Sequence, residues 1–513
     1  MEDKAFKMKL GKKILWLIVG VVFLGLIAGD GKSSSNDKRQ EMYNGLRLFT
    51  QALSLVQTQY VDIDKVEQKE LIYGAIKGLL ASLNDPHTRF MTPDLYKEMK
   101  VETEGEFGGL GIVIGLKDNQ LTIISPIEET PAALAGVKAG DKIMEIDGTT
   151  TKDITVFEAV KKLRGPKGTQ ITISIERTGE KEWLKFTITR DIIKIKSVKY
   201  DIIKNDIGYI RLTNFNQKTS DELHEALLKL KENKIKSLIL DLRNNPGGLL
   251  DSAVAVADEF LPPEVLIVSI NGRIPQMNQD YKTTKPYIDY PLVVLINHGS
   301  ASASEIVAGA IQDPQYEKIL IANQKEHDKW VKKMNEETER KISIVEIEPG
   351  KWYVKRRVGS PRGVILGTAS FGKGSVQTVI PLGDDSGIAL TTAKYYTPSG
   401  RTIHEKGIVP DIIVEELKLS KEEEEMLIKL EEGGYVKKFI EKHNPYKPED
   451  LKGLLGNLEK NKIKIEEGLL KKKIDLEIRK KESNKELIYD ISVDTQLQRA
   501  VDILIASRIF NKN

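Results

Sequence analysis

The chain has no cysteine in its 513 residues. That excludes disulfides, a cysteine nucleophile and thiolate metal sites. It also lacks an excess of either charge. Lys+Arg number 78 and Asp+Glu 75, a formal net charge of +3. Nothing in that balance asks for nucleic acid. Histidine is scarce: the six residues are scattered, and His224-Glu225 and His404-Glu405 lack the second histidine of a zinc protease. No repeat of fixed period is present. The length is enough for more than one domain and a sizeable core.

One long uncharged run stands out, Ile14 to Gly29, preceded by Lys4, Lys7, Lys9, Lys12 and Lys13. As a helix it would span about 24 Å, a little short of a hydrocarbon core of roughly 30 Å, so the lysines would snorkel. It reads as an uncleaved signal anchor. A cleaved signal peptide and a buried core helix are the alternatives, and no clear Ala-x-Ala site follows. The basic side stays cytoplasmic. The rest is then expected outside the cytoplasm, in the cell envelope, either anchored in the inner (cytoplasmic) membrane or secreted to the periplasm.

The pattern changes along the chain. Gly31 to Arg39 is a polar linker, and Glu41 to about Lys100 is helical, with Leu46, Phe49, Leu53 and Val56 on one face. From Glu104 to about Thr189, short β-rich runs alternate with turns. From Asp206, strand, turn and helix repeat: Ile207–Leu212, a helix capped by Ser220, Ser237–Leu242, the turn Asn244 to Gly248, then Leu292–Asn297 and a helix from about Ala303 to Gln312. Gln324 to about Arg357 is strongly charged and reads as an insertion. The tail is helical, with a Ser420–Glu423 capping box and amphipathic runs Leu451–Lys473 and Asp494–Ile509. The expected fold is α/β and α+β multidomain. Its parts are an anchor and linker (1–35), a helical N-terminal region (36–100), a β-rich domain (101–192), an α/β core (193–413) and a helical C-terminal region (414–513).

Two segments carry chemistry. Asn297-His298-Gly299-Ser300-Ala301-Ser302-Ala303-Ser304-Glu305 follows an apolar strand, where α/β folds place their sites. Its three serines could equally be helix caps, and spacing does not choose among them. Phe371-Gly372-Lys373-Gly374-Ser375-Val376-Gln377 sets a lysine between glycines. A serine hydroxyl needs a base, and a desolvated, neutral lysine can be one. Asn245-Pro246-Gly247-Gly248 precedes a helix and offers N–H groups to an anion. Gly108-Gly109-Leu110-Gly111-Ile112 enters a strand, and its N–H groups and edge could take a peptide carboxylate.

Pro131-Ala132-Ala133-Leu134-Ala135-Gly136-Val137, Gly140-Asp141-Lys142-Ile143 and Ile146-Asp147-Gly148 resemble a PDZ domain. With the serine and lysine segments, the chain resembles the carboxy-terminal processing proteases, a family of Ser-Lys peptidases. The resemblance covers about Leu46 to Asp411, and Asp494-Thr495-Gln496-Leu497 also matches. It implies a serine endopeptidase that binds protein C-termini through the PDZ domain and cleaves near them. Ser302 would be the nucleophile, Lys373 the general base and Gln377 the residue orienting Lys373. Ala303 and Gly248, favoured over Gly247, would be the oxyanion donors. Gly109, Leu110, Gly111 and Ile112 would take the substrate terminus, and Arg164 would act as a substrate-sensing switch. No cofactor or metal is needed, and the amphipathic ends resemble the dimerising ends of relatives, so a homo-oligomer is possible. One feature departs from the pattern: Ser302 and Lys373 lie 71 residues apart because of the insertion. The alternative is a catalytically inactive PDZ scaffold at the membrane, blocked by that insertion. Three other motif matches compete with this reading: a phosphate loop at Gly367–Lys373, a Ser-x-x-Lys pair at Ser370 and Lys373, and a Ser-His pair through His298.

Overall fold

The computed structural model describes residues 34–513 except 118, 128, 322, 337–341, 349–350, 417–420, 444, 484–487, 490, 492–493 and 511–513. The run Ile14–Gly29 and the Ser420 cap lie outside the described residues. Among those described, no helix is long and apolar enough to cross a membrane. The chain forms two compact units, Met1–Phe90 and Met91–Asn513. In the first, helix Gln68–Ala81 buries Tyr73 and Leu80, and the Tyr73 ring lies 4.7 Å from that of Phe90. Helix Ser34–Gln59 leaves Met42, Tyr43, Leu46 and Phe49 exposed.

The second unit begins with helix Pro93–Glu104. A sheet follows in the order Ile112–Lys117, Gln120–Pro126, Lys142–Ile146, Gln170–Glu176, Leu184–Thr189. Isoleucines alternating along these strands point inward, so Ile123, Ile143, Ile173 and Ile175 are fully buried. Helix Val156–Leu163 closes the domain, started by a capping box between Thr155 and Glu158.

The α/β core is a six-stranded sheet in the order Val198–Ile203, Ile207–Leu212, Ser237–Asp241, Leu292–Ile296, Val364–Gly367, Ile412–Ile413. The first pair is antiparallel and the rest are parallel. Leu-Val-Val-Leu-Ile has no polar face, Ser-Leu-Ile-Leu-Asp is polar only at its two ends, and both are buried throughout. That is the signature of central parallel strands covered on both sides. Helices Thr219–Glu232, Leu250–Asp258 and Ala303–Gln312 pack on one face. The last helix, Thr495–Phe510, covers the other face, setting Leu497, Ala500, Val501 and Leu504 against Tyr209, Ile239, Val293 and Leu295. An antiparallel sheet holding Ser375–Pro381, Gly387–Tyr396, Leu266–Gly272 and Gln279–Lys282 stands beside it.

Three expectations change. Ser220 is not the cap, because its helix already starts at Thr219. The run Leu451–Lys473 is two helices, Pro448–Lys460 and Glu467–Ser483, broken where Lys462 takes a φ of 60°. The charged insertion is a folded layer that begins earlier, at Tyr316. Strand Tyr316–Ile321 pairs with Lys351–Arg357, which pairs with Ile342–Glu348, and helix Gln324–Glu336 lies between in sequence. Alternating apolar residues hidden among the charges build its core: Ile321, Ile342 and Val354, with Trp330, Met334 and Trp352 against them. Lys318 ties it to Asp280 at 2.5 Å, and Lys282 Nζ donates to the Lys318 carbonyl at 2.8 Å.

Candidate active site

Strand Leu292–Ile296 runs into a tight turn, and Ser302 caps the helix after it. The turn distinguishes the three serines that spacing left equal. Ser300 is fully buried; its Oγ accepts from Asn297 N at 3.0 Å and donates to the Leu242 carbonyl at 2.8 Å. Ser304 is fully buried and donates to the Asn245 carbonyl at 2.9 Å. Both hydroxyls are committed to holding the turn. Ser302 is half-buried, and its Oγ lies 2.9 Å from Tyr395 Oη. Its backbone has φ 56° and ψ −112°. For a residue with a Cβ this costs about 1–3 kcal/mol, and such strain persists only where neighbours over-determine it.

Glu305 is the chief of those neighbours. It is 1% exposed. Its Oε2 accepts from Ser302 N at 2.7 Å and Lys373 N at 2.9 Å, and its Oε1 from Gly372 N at 2.7 Å and Ser370 Oγ at 2.6 Å. One carboxylate therefore clamps the serine turn to the lysine loop. Burial pushes its carboxyl above the ordinary value, against the hydrogen bonds that pull it down. Tyr395 is the second bridge: its hydroxyl meets both Ser302 Oγ and the Lys373 carbonyl. Burial raises the Tyr395 hydroxyl, so it stays protonated. A phenol has one proton and a carbonyl only accepts. When Tyr395 donates to Lys373, the Ser302 hydroxyl donates to Tyr395.

Both residues were missed in the sequence. Glu305 had a signal, since Ser302-x-x-Glu305 is a capping-box spacing and the helix is otherwise almost wholly apolar. Tyr395 had none: it lies near the end of strand Gly387–Tyr396, far in sequence from both segments that carry chemistry.

Lys373 is half-buried, between Gly372 at φ 95° and Gly374. A Cβ on Gly374 would lie 2.3 Å from His404 N, so only glycine fits. A strand, Ser375–Pro381, follows Lys373, not a helix. This removes the phosphate-loop and Ser-x-x-Lys readings, both of which need a helix start. Gln377 sits on that strand and its Nε2 donates to Ser375 Oγ at 2.9 Å and Thr391 Oγ1 at 3.2 Å. His298 is exposed and its ring packs 5.5 Å from that of Phe371.

The third element is the turn after strand Ser237–Asp241. Asn245 fixes it: Nδ2 donates to Leu212 O at 2.9 Å, Oδ1 accepts from Gly247 N at 2.9 Å, and its carbonyl accepts from Ala301 N at 3.0 Å. Gly247 and Gly248 have φ of 99° and 148°. A Cβ on Gly247 would sit 2.8 Å from Ala303 N and from Ser302 Cβ, so the turn presses on the serine. Gly247 N–H is already bonded. The N–H groups of Gly248 and Ala303 have no acceptor among the described residues.

The expected peptide-binding residues gather elsewhere in the unit. Gly109, Leu110, Gly111, Ile112 and Arg164 line one pocket, together with the apolar Ile114, Val160 and Leu163. The guanidinium of Arg164 lies 4.5 Å from the centre of the Phe107 ring. Gly111 has φ 77°, and a Cβ there would lie 2.3 Å from Thr130. Among the described residues the N–H groups of Leu110 and Gly111 have no acceptor.

Comparison with known proteins finds three family models along the chain. Residues 206–348 and 359–414 match peptidase family S41, residues 98–176 match the PDZ domain, and residues 27–94 match the activating protease CtpB N-terminal domain. The sequence is 42% identical over 411 residues to a carboxy-terminal-processing protease of Bartonella bacilliformis, covering 79% of this chain and 83% of that one. It is 32% identical over 368 residues to the carboxy-terminal processing protease CtpB of Bacillus subtilis, covering 71% and 67%. Among solved structures, a photosystem II D1 C-terminal processing protease is 28% identical, covers 72% of this chain and 92% of its own, and has a TM-score of 0.38.

Proposed function

The chain belongs to the carboxy-terminal processing proteases of peptidase family S41, serine-type endopeptidases, and on that premise we propose that it cleaves proteins near a free C-terminus with a Ser302–Lys373 dyad. The Ser302 hydroxyl turns from Tyr395 toward Lys373, and its Oγ attacks the scissile carbonyl while its proton passes to the neutral amine of Lys373. The tetrahedral oxyanion accepts from the Gly248 and Ala303 N–H groups. The C–N bond then breaks, Lys373 returns the proton to the leaving amine, and water hydrolyses the acyl ester by the same route. Gln377 orients Lys373.

One observation carries the reading. Of three serines, only Ser302 is not fully buried and has a hydroxyl not committed to the backbone of the turn, and it stands on a strained turn beside two unpaired N–H groups, clamped to the Lys373 loop by Glu305. The PDZ pocket supports the choice of substrate end. Open N–H groups of Leu110 and Gly111 suit a terminal carboxylate, the apolar wall suits its side chain, and Arg164 at the rim senses occupancy. The lysine-flanked run Ile14–Gly29 supports an envelope location with the catalytic part outside the cytoplasm. The exposed apolar residues of helix Ser34–Gln59 support a homo-oligomer.

The test is cleavage of one peptide as free acid and as amide below saturation, with fluorophosphonate labelling of Ser302. Free acid should be cut about 10- to 100-fold faster, because charge-assisted bonds are roughly twice as strong as neutral ones. Labelling should vanish in Ser302→Ala. Equal cleavage of the two peptides would remove the C-terminal reading, and labelling that survives Ser302→Ala would remove the nucleophile.

A further inference from the structure

The last helix lies on the sheet face opposite the catalytic helices, yet its first residues reach the oxyanion turn through Arg243. This arginine follows strand Ser237–Asp241 and comes two residues before Asn245. Its side chain is 10% exposed, and all five of its N–H donors are bonded. Nε and Nη2 donate to the two Asp241 oxygens at 2.9 and 2.6 Å. Nη1 and Nη2 donate to the two Asp494 oxygens at 2.9 and 2.7 Å, and Nη1 also to Gln496 Oε1 at 3.0 Å. Three of the five acceptor contacts therefore come from the C-terminal segment. That segment is itself fixed. Asp494 Oδ1 accepts from Leu497 N at 2.9 Å, and Gln496 Nε2 donates to the Val414 carbonyl at 2.7 Å. Asp241 is fully buried and is held from behind by the Tyr209 hydroxyl at 2.7 Å.

A guanidinium with every donor paired in fixed directions cannot turn or slide without leaving a buried donor unpaired. Its main chain leads straight into the turn whose Asn245 holds Gly247 N, Ala301 N and Ser304 Oγ. We propose that Arg243 is a positioning residue for the oxyanion donors and that Asp494 and Gln496 complete the active site through it, so these two residues at the start of the C-terminal helix, and not the rest of the helix, support catalysis. The inference rests on the oxyanion role given above to Gly248 and Ala303. Arg243 does not touch substrate. Its effect falls on the alignment of the Gly248 N–H, which matters more to the tetrahedral state than to the bound peptide.

The test uses the full chain and Asp494→Asn, which turns one acceptor oxygen into a donor facing Arg243. Expected is a kcat about 10- to 100-fold lower with KM within about twofold. Affinity for a peptide aldehyde, whose hemiacetal oxygen occupies the oxyanion position, should fall by the same factor. Val501→Ala loosens the same helix away from Arg243. It should lower the unfolding midpoint and leave kcat per folded molecule unchanged. If Asp494→Asn does not fold, Gln496→Met removes one Arg243 acceptor, together with the donor to the Val414 carbonyl, and should give the same split at about three- to tenfold. Unchanged kcat and aldehyde affinity in the folded variant would overturn the proposal, as would an equal kcat loss in Val501→Ala. Ser302→Ala separates the two readings. If it stays active, the assigned site is wrong; if it is dead while Asp494→Asn matches the parent, only the role of the C-terminal segment fails.

Discussion

Around the Ser302 turn the buried charges are matched bond for bond, with Glu305 accepting four hydrogen bonds and Arg243 donating five, whereas at the root of the added layer Lys355 is half-buried over the Tyr316 ring, 4.5 Å from its centre, without an ion pair among the described residues. Both regions grow from the same α/β core, and both take charge out of water. The first uses directional bonds to hold the strained Ser302 and two open N–H groups in register. The second has only to stay folded against strand Gln279–Lys282. A matched buried charge marks a place where geometry is under constraint; an unmatched one marks a place where burial alone was enough.

The comparison breaks first if the matched region is not a catalytic unit. Ser302→Ala and Lys373→Ala should each lower kcat by about 10⁴-fold or more, and the double variant should be no worse than either single one. Steady-state kinetics on a quenched peptide measures this. Additive losses would mean that the two residues do not act together.

Next in size is Glu305→Gln. Each carboxylate oxygen accepts two donors, so whichever way the amide is turned its NH₂ opposes two of them. Activity at pH 7 should fall about a hundredfold through misplacement of Ser302. Stability gives an independent check. The folded-state value of Glu305 is raised above its reference of 4.5, so the native state holds this proton more tightly than the unfolded chain. Its contribution to stability declines as pH rises from 4.5 through the raised value. Denaturant titrations across that window should show this decline in the parent, and it should be missing in Glu305→Gln. A parallel pH dependence in both proteins would show that Glu305 is not the group titrating.

The sequence made the strands and turns legible wherever a single periodicity ruled. The all-apolar runs at Ser237 and Leu292 and the helix Ala303–Gln312 fell where their patterns put them. The glycine turn at Gly247 and Gly248 and the glycine loop at Gly111 were legible too, because glycines at positive φ leave a trace that other residues do not. Choosing among Ser300, Ser302 and Ser304 needed the family resemblance, since all three obey the same cap rule. Glu305, Tyr395 and Arg243 stayed hidden for a different reason. The contacts that reveal them, Glu305 with Gly372, Tyr395 with Ser302 and Arg243 with Asp494, span 67, 93 and 251 residues, and no local pattern encodes a bond of that span. The added layer was obscured by composition: its lysines and glutamates masked the alternation of Ile319, Ile321, Trp352 and Val354.

The smallest predicted effect bears on the unmatched side of the comparison. Desolvation lowers the Lys355 amine from 10.5 to about 8, with Asp313 and Asp280 pulling it up and Lys318 pushing it further down. A depressed folded-state value means that, below about pH 8, folding keeps a charge where it is poorly solvated. Lys355→Met removes that charge, and with it the contact of Nζ with the Tyr316 ring, and keeps an unbranched apolar stem. Stability at pH 7 should rise by about 1 kcal/mol, discounted from the full shift because the side chain is partly exposed. The sign then fixes the pH dependence. Between about 8 and 10.5 the folded parent has lost the proton that the unfolded chain still carries, so the parent gains stability as pH rises and the advantage of the methionine shrinks toward zero. Denaturant unfolding of both proteins at pH 7, 9 and 10.5 measures it, and kcat at pH 7 should not move. A gain that persists at pH 10.5 would come from packing, not charge. A loss at pH 7 would mean that Asp313 or Asp280 pairs with Lys355 after all, and the two regions would then bury charge by the same rule.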